Sequence, residues 1–254
     1  MPRGLLRFAD VSLGSGGLPA CMRCSGGDAF EPRPGGDVIA EALAVVESWD
    51  RSAFGPGPNL SFVDAEPFSH PELPGIVFAA AEAGASRIRL RTGGEALSAP
   101  ENAEGVLHAG IRHVEIVLLA GGQEHDALAG RSGAFEALSK GAGALVEAAR
   151  THGTVIALTG RVPVCRHNLE HASSAVAALA SLGASAVVLD VSEGAAASVD
   201  AASWLASACD TGIVNGTWVS VASTRTIPGV HELHWVAVSS SSTPHVSADP
   251  GRDA

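Results

Sequence analysis

The stretch VEIVLL at residues 114–119 is a nearly continuous apolar run, and a helical pattern from Ala134 to His152 and a strand-like stretch from Val155 to Leu158 follow it. A short apolar run of this kind is typical of a strand that is covered on both faces. Two parallel strands need a crossover connection, which is usually a helix. The stretch therefore predicts a β-α-β unit in a parallel sheet.

The same alternation extends along the chain in both directions from this unit. Further strands are predicted at residues 5–13, 59–63, 87–92, 186–191 and 217–221, and further helices at 38–49, 71–83, 99–109, 169–182 and 197–209. About six β-α units fit, fewer than the eight of a closed barrel. The pattern thus predicts an α/β fold, and periodicity alone allows either a partial barrel or an open doubly wound sheet.

Local signals mark where several of these helices begin and end. Asp37 is the expected N-cap of the first long helix. Glycines at the helix-to-strand junctions are expected to end the helices in the left-handed conformation: Gly84, Gly110, Gly153, Gly183 and Gly212. Residues 1–238 are predicted to form the folded domain, and the Ser-rich, polar residues 239–254 to be a disordered tail.

Composition disfavours several classes of function. A net charge of −11 opposes non-specific binding to DNA or RNA, and only 4% of the residues are aromatic, with no tyrosine, so a base-stacking surface is not expected. No apolar run is long enough to cross a bilayer, and an acidic residue as early as Asp10 argues against a signal peptide. We therefore expect a cytoplasmic protein that binds neither nucleic acid nor membrane.

Residues with reactive or ligating side chains follow the ends of the predicted strands, where the sites of such folds lie. Cys21 and Cys24 follow the first strand, and they can be read as ligands of an iron–sulfur cluster, as part of a zinc site or as a redox pair. Isolated histidines are expected at the surface or at helix ends: His108, His113 and His152.

The second and third strands end in carboxylates and glycines. Asp64, Glu66 and Pro67 follow the second strand, while Thr92 and Gly93 end the third. Asp64 and Glu66 are candidates for an acid–base pair, because two close carboxylates raise one pKa. Glu66 could equally cap the following helix, and the Thr92 segment could be only a tight turn.

These segments, in this order on successive strand ends, resemble the motifs of the radical S-adenosylmethionine (SAM) superfamily. Cys21 and Cys24 are similar to the last two cysteines of its CxxxCxxC triplet, residues 64–67 to its GGEP motif, and Thr92 with Gly93 to its TNG motif. The HD segment at His125 followed by the GAF at residues 133–135 is also similar to a motif after its fourth strand. The resemblance covers about residues 5–220 and implies a partial (β/α)6 TIM-like barrel of parallel strands.

The resemblance also implies a cofactor arrangement. Cys21 and Cys24 would ligate a [4Fe-4S] cluster, Glu66 would accept a hydrogen bond from the amino group of SAM with Asp64 and Pro67 beside it, and Thr92 and Gly93 would line the adenosine pocket. The family uses this pair of cofactors to abstract hydrogen from a substrate. A peptide or small natural-product intermediate is the expected substrate.

Position 17 departs from the family pattern, because Gly17 stands where the first cysteine of the triplet is expected. Glycine offers no ligand atom, and cluster ligation depends on cysteine thiolates. This departure favours a second hypothesis, a catalytically inactive relative that acts as a binding or scaffold partner of an active enzyme. A TIM-like hydrolase or isomerase that uses Asp64 and Glu66 is the third.

Overall fold

The computed structural model describes residues 8–15, 18 and 31–223, and it is built around a seven-stranded parallel sheet. The strands follow one another across the sheet in the order of the sequence: β1 (Ala9–Ser12), β2 (Asn59–Val63), β3 (Arg87–Thr92), β4 (His113–Val117), β5 (Ala157–Val164), β6 (Ala186–Val191) and β7 (Trp218–Ser223). A doubly wound sheet would reverse this order at a switch point. The sheet instead curls into a half-barrel, which confirms the predicted partial TIM-like barrel.

Seven helices of at least eight residues connect or follow the strands in the described part of the chain: α1 (Gly35–Glu47), α2 (Leu73–Ala83), α3 (Pro100–His108), α4 (Gly122–Ala129), α5 (Ala134–Thr151), α6 (Ala172–Ser181) and α7 (Ala201–Val214). Shorter helical turns lie at Arg51–Phe54, Pro67–Ser69, Glu95–Ser98, Leu169–His171 and Glu193–Ala196, and an antiparallel ladder pairs Gly14–Ser15 with Glu31–Pro32. No helix among the described residues is both long and apolar enough to cross a membrane.

The hydrophobic core lies between the helices and one face of the sheet. Alternate strand residues such as Leu60, Leu90 and Ile116 are fully or almost fully buried there, together with helix residues such as Ile76 and Leu138. All the long helices but α4 contribute to this core, so the sheet is covered on its convex face. The concave face carries the other residues of each strand, because successive side chains point to opposite faces.

The concave face corrects one prediction made from the VEIVLL stretch. The run predicts a strand with apolar cover on both faces, yet Glu115 points away from the core and lies among charged side chains. A half-barrel has helices on only one side, so the other side of each strand can carry polar groups.

Several local predictions also differ from the structure. Asp37 is not the N-cap of α1; the helix begins at Gly35 with Pro34 in the cap position. The fifth strand is longer than predicted because it continues through Gly160 and Pro163, two residues that usually interrupt a strand. A Cβ at position 160 would lie 2.5 Å from Leu179 Cδ1, so a larger residue here would require the Leu179 side chain of α6 to move.

Four of the five predicted junction glycines adopt a positive φ, as expected: Gly84, Gly110, Gly153 and Gly183. Gly212 does not, because it lies within α7 and packs directly against Val219. Gly216, with φ of 70°, makes the turn after α7 in its place. Cys21, Cys24, Gly17 and the predicted tail at residues 239–254 lie outside the described residues.

Candidate functional site

The loops that follow β2 and β3 meet at the carboxyl edge of the sheet. These two strands are neighbours in parallel register, with Phe62 opposite Leu90. Their carboxyl ends therefore lie side by side, and Glu66, three residues beyond β2, reaches Thr92 at the end of β3. The sequence places both residues in strand-end loops, and the structure brings their side chains into contact.

The Glu66 carboxylate joins the two loops by hydrogen bonds. Thr92 donates its hydroxyl proton to both carboxylate oxygens, at 2.7 Å from Oε1 and 2.9 Å from Oε2. The backbone N–H of Gly93 donates to Oε2 at 2.9 Å, and that of Phe68 donates to Oε1 at 3.4 Å. An ionised carboxylate has about four lone-pair sites. Three protein donors make four hydrogen bonds to this half-buried carboxylate, so a donor from outside the protein would have to share its oxygens with them or displace one of them.

The electrostatics of Glu66 follow from its half-buried position. Burial raises the pKa of Glu66 above its ordinary value, and the hydrogen bonds from Gly93 and Thr92 act in the opposite direction. The nearby negative charge of Glu95 also raises this pKa. A cationic ligand such as an ammonium group would lower it again by favouring the ionised form.

The other predicted residues of the β2 loop take different positions. Asp64 is exposed and has a φ of 70°, a left-handed conformation that residues other than glycine adopt only uncommonly. Pro67 is buried and begins the short turn that Glu66 caps, so the capping interpretation of Glu66 is also correct. His70 is almost fully buried; its Nε2 donates to Arg33 O at 2.9 Å and ties this loop to the segment before α1.

The Gly93–Gly94 turn packs unusually closely against α5. Gly94 has a φ of 83°, and its N–H donates to Thr92 Oγ1 at 2.9 Å. A Cβ at Gly141 in α5 would lie only 1.9 Å from Gly94 O. The missing side chain at position 141 therefore allows the helix to hold the turn that donates to Glu66.

Replacing Thr92 by valine tests this network. Thr92 is fully buried and its hydroxyl bonds to both Glu66 and Gly94, so its removal takes one donor from the Glu66 carboxylate and leaves the Gly94 N–H without this acceptor. We expect T92V to lower the free energy of unfolding by about 1–3 kcal/mol and to raise the pKa of Glu66 further, measured by denaturation and by NMR titration of the carboxyl carbon.

Thr159→Val provides the matched control for T92V. The Thr159 hydroxyl makes only a long hydrogen bond of 3.4 Å to Val114 O. Its replacement is expected to change stability by much less than T92V and to leave the Glu66 titration unchanged. Equal effects of the two substitutions would show that Thr92 does not hold Glu66.

The His125–Asp126 segment after β4 has a structural role, because both side chains accept hydrogen bonds from backbone N–H groups. His125 is fully buried and accepts a hydrogen bond from Leu119 N at Nδ1, 3.2 Å away, while its Nε2 has no partner within the described residues. Burial lowers the pKa of His125, so the neutral ring is favoured. Asp126 accepts from the N–H groups of Gly133 (2.6 Å) and Phe135 (2.8 Å) at the start of α5.

A cluster of charged side chains occupies the concave face of the half-barrel. Glu115 on β4 is 1% exposed and contacts three guanidinium groups, with nitrogen–oxygen distances of 3.2 Å to Arg89, 2.5 Å to Arg91 and 3.1 Å to Arg161. Asp10 on β1 and Asp190 on β6 flank the arginines. This network spans from the first strand to the sixth on the concave face.

The arginines hold Glu115 ionised. Burial by itself raises the pKa of Glu115, but the positive charges of Arg161, Arg91 and Arg89 outweigh it and lower the pKa to about 2. The cluster keeps one unused donor: Nη2 of Arg91 is buried, 3.8 Å from the nearest oxygen of Asp10, and has no hydrogen-bond partner in the described part of the chain.

Sequence reasoning missed this cluster, although a signal was present. Arg87, Arg89 and Arg91 alternate along a strand in the interior of a parallel sheet. Such a strand is normally apolar on both faces. Three arginines at a period of two therefore indicate that one face of the sheet carries polar groups.

The two described cysteines differ in their surroundings. Cys165 is half-buried directly after β5, at the carboxyl edge of the sheet, and its N–H donates to Asn168 Oδ1 at 2.7 Å. Cys209 lies buried in α7, and burial raises the pKa of its thiol, which disfavours the thiolate that metals require. Of these two thiols, only Cys165 lies at the edge that carries Glu66.

Comparison with solved structures supports the fold. No protein-family model and no curated protein matches the sequence. Streptococcus suis SuiB bound to S-adenosylmethionine aligns with a TM-score of 0.59 at 11% identity, over 85% of this chain and 51% of SuiB. SuiB bound to its precursor peptide SuiA aligns at 0.53 and 12% identity, over 74% and 40% of the respective chains.

The likeness concerns the architecture alone at these identities. The chain spans about half the length of SuiB or less. The HMG-CoA lyase from Brucella melitensis aligns with a TM-score of 0.48 at 16% identity, over 83% of this chain and 68% of the lyase. At low identity the fold thus resembles that of SuiB, which has been solved with S-adenosylmethionine bound.

Proposed function

We propose that this chain is a radical SAM-type enzyme that modifies a peptide or natural-product intermediate with the help of a [4Fe-4S] cluster and SAM. The observation that carries the proposal is the Glu66 carboxylate, which bridges the ends of β2 and β3 at the carboxyl edge of a half-barrel. This edge is where the active sites of barrel folds gather. SuiB, about half of which aligns with this chain, has been solved with SAM bound.

Glu66 suits the amino group of SAM by its negative charge and by its place at the carboxyl edge of the sheet. Thr92 and Gly93 orient the carboxylate, because both donate to it from the neighbouring strand end. Asp64 and Pro67 belong to the same loop and complete the proposed cofactor-binding segment. The role of these residues toward a cofactor remains a prediction.

The ligand set of the proposed iron–sulfur cluster is incomplete in this chain. Cys21 and Cys24 supply two thiolates in the loop after β1, and Gly17 supplies none, so the chain lacks the full triplet of the family. A third ligand must come from elsewhere, and Cys165 is the described thiol at the correct edge of the sheet. When bound, the cluster with SAM would supply the radical that takes hydrogen from the substrate.

The concave face is the proposed place for the substrate. The arginine cluster lines it, with Arg89, Arg91 and Arg161 around Glu115. A peptide is a reasonable occupant, since SuiB binds its precursor peptide SuiA. The protein's contribution would be to position the substrate and to exclude water from it.

A second function has its own support. Gly17 removes one expected ligand, and protein donors already occupy most of the acceptor positions of Glu66. A chain that had lost the cofactor could keep the half-barrel as a binding or scaffold partner of an active enzyme. The same experiment separates the two proposals.

Anaerobic reconstitution with iron and sulfide is that experiment. We expect about four iron atoms per chain, a broad absorption band in the visible region, and reductive cleavage of SAM. Substituting Cys21 or Cys24 by alanine should abolish the iron and the cleavage. Absence of iron from the wild-type chain would overturn the enzyme proposal and leave the scaffold function.

Two further cysteine variants test whether Cys165 is the third cluster ligand. Cys165→Ala should lower the iron content if Cys165 completes the ligand set, and Cys209→Ala, whose thiol is buried in α7, should not. Full iron in C165A would show that the third ligand is not this thiol. Loss of iron in C209A would indicate that the assay reports folding rather than ligation.

A further inference from the structure

A second cluster of ligating side chains lies at the opposite edge of the sheet. Glu104 and His108 are four residues apart on α3, so they share one face of that helix. His152 follows α5 directly, and its N–H bonds to Ala148 O. Both helices run back from the carboxyl edge, so their ends lie at the amino edge of the strands, away from Glu66.

The three side chains are already close to one another. His152 Nε2 lies 2.9 Å from Glu104 Oε2. The rings of His108 and His152 are 5.3 Å apart between centroids and nearly perpendicular, at 88°. One ligand atom from each of the three residues lies within 4.8 Å of the others. Ligands of a tetrahedral zinc ion are about 3.4 Å apart, given bonds of about 2.1 Å, so small side-chain rotations would suffice.

The chemistry of this set favours one class of metal. Two imidazoles and one carboxylate suit Zn²⁺ and neighbouring divalent transition ions, whereas Ca²⁺ and Mg²⁺ prefer sites made of oxygen alone. His108 and His152 are exposed and Glu104 is partly exposed, so an ion can reach the cluster from solvent and keep a water as its fourth ligand.

We propose that Glu104, His108 and His152 form a zinc site that links the end of α3 to the end of α5. The ion would replace the hydrogen bond between Glu104 and His152 by two coordinate bonds, and the neutral His152 ring would then carry its proton on Nδ1 while Nε2 binds the ion. The bound ion would thereby stabilise the end of α5, the helix that packs on the Gly93–Gly94 turn. The site involves neither the cysteines nor Glu66, and it stands whether or not the enzyme proposal is correct.

Calorimetric titration of the untagged full-length chain with Zn²⁺ tests the proposal. Cys21 and Cys24 are first replaced by alanine, because their thiolates would bind zinc themselves. We expect one zinc per chain and a melting temperature that rises with zinc concentration. His108→Ala and Glu104→Gln should each weaken binding by about 10- to 100-fold while leaving the melting temperature without zinc nearly unchanged.

His171→Ala is the matched control, because His171 also lies beside a glutamate, Glu170 at 3.6 Å, but the structure places no second histidine with that pair among the described residues. H171A should bind zinc as the parent does. Co²⁺ supplies a second readout, since its visible spectrum reports nitrogen and oxygen ligands. Stoichiometric zinc binding that survives both H108A and E104Q, or no binding by the parent, would overturn the proposal.

Discussion

Glu115→Gln is expected to lower the free energy of unfolding by about 3–5 kcal/mol, because it removes the buried anion that three arginines on the concave face share. The carboxylate is 1% exposed and has Arg89, Arg91 and Arg161 within 3.2 Å. The amide of glutamine has the same shape, so the loss would come from charge and not from packing. Urea denaturation of both proteins measures it.

The same interaction predicts how stability depends on pH. The folded pKa of Glu115 is lowered to about 2 from an ordinary value of 4.5, so the ionised group stabilises the fold above pH 4.5. This contribution, roughly 3 kcal/mol, is lost as the pH falls toward 2. The E115Q variant should lack this part of the acid dependence.

Glu101→Gln is the control for E115Q, since Glu101 lies exposed in the first turn of α3. Its effect should stay within about 0.5 kcal/mol. A similar small effect of E115Q, or an unchanged acid profile, would contradict the assignment of Glu115 as the central anion of the cluster.

Gly141→Ala is the second substitution for which we expect a large effect. The new Cβ would fall 1.9 Å from Gly94 O, a backbone atom that a side-chain rotation cannot move away. Overpacking of this kind costs about 1–3 kcal/mol, and α5 or the Gly93–Gly94 turn must shift. Because this turn donates to Glu66, the pKa of Glu66 should change as well.

Gly143→Ala in the same helix is the matched control, and we expect it to change the stability in the opposite direction. A Cβ at position 143 meets nothing within 4 Å, and alanine favours the helix over glycine by about 1 kcal/mol. Thermal or urea denaturation should therefore show G143A to be more stable than the wild type and G141A less stable. If G141A were as stable as G143A, the close approach of α5 to Gly94 would be refuted.

The sequence predicts the architecture well because its signals are local. Apolar runs such as residues 114–119 and 186–191, each followed or preceded by a helical pattern, are enough to predict parallel strands with crossover helices. The errors fall where tertiary packing overrides a local rule. Gly160 and Pro163 usually interrupt a strand, yet β5 runs through both and pairs with β6 as far as Val164.

The candidate site could be predicted only in part. The motif order places Glu66, Thr92 and Gly93 on neighbouring strand ends, and the structure joins them by hydrogen bonds. Glu115 and Arg161 meet only because β4 and β5 pair in a particular register, with Glu115 opposite Thr159. No local pattern contains that information, and the same holds for Glu104 and His152, which are 48 residues apart.

Binding of SAM to the anaerobically reconstituted protein, measured by calorimetry, tests the role of Glu66 most directly. Glu66→Gln should keep its iron but bind SAM at least about tenfold more weakly, a change of about 1.4 kcal/mol. Glu82→Gln, at an exposed position in α2, should bind SAM as the wild type does. Equal affinity of E66Q and the wild type for SAM would contradict the proposed site.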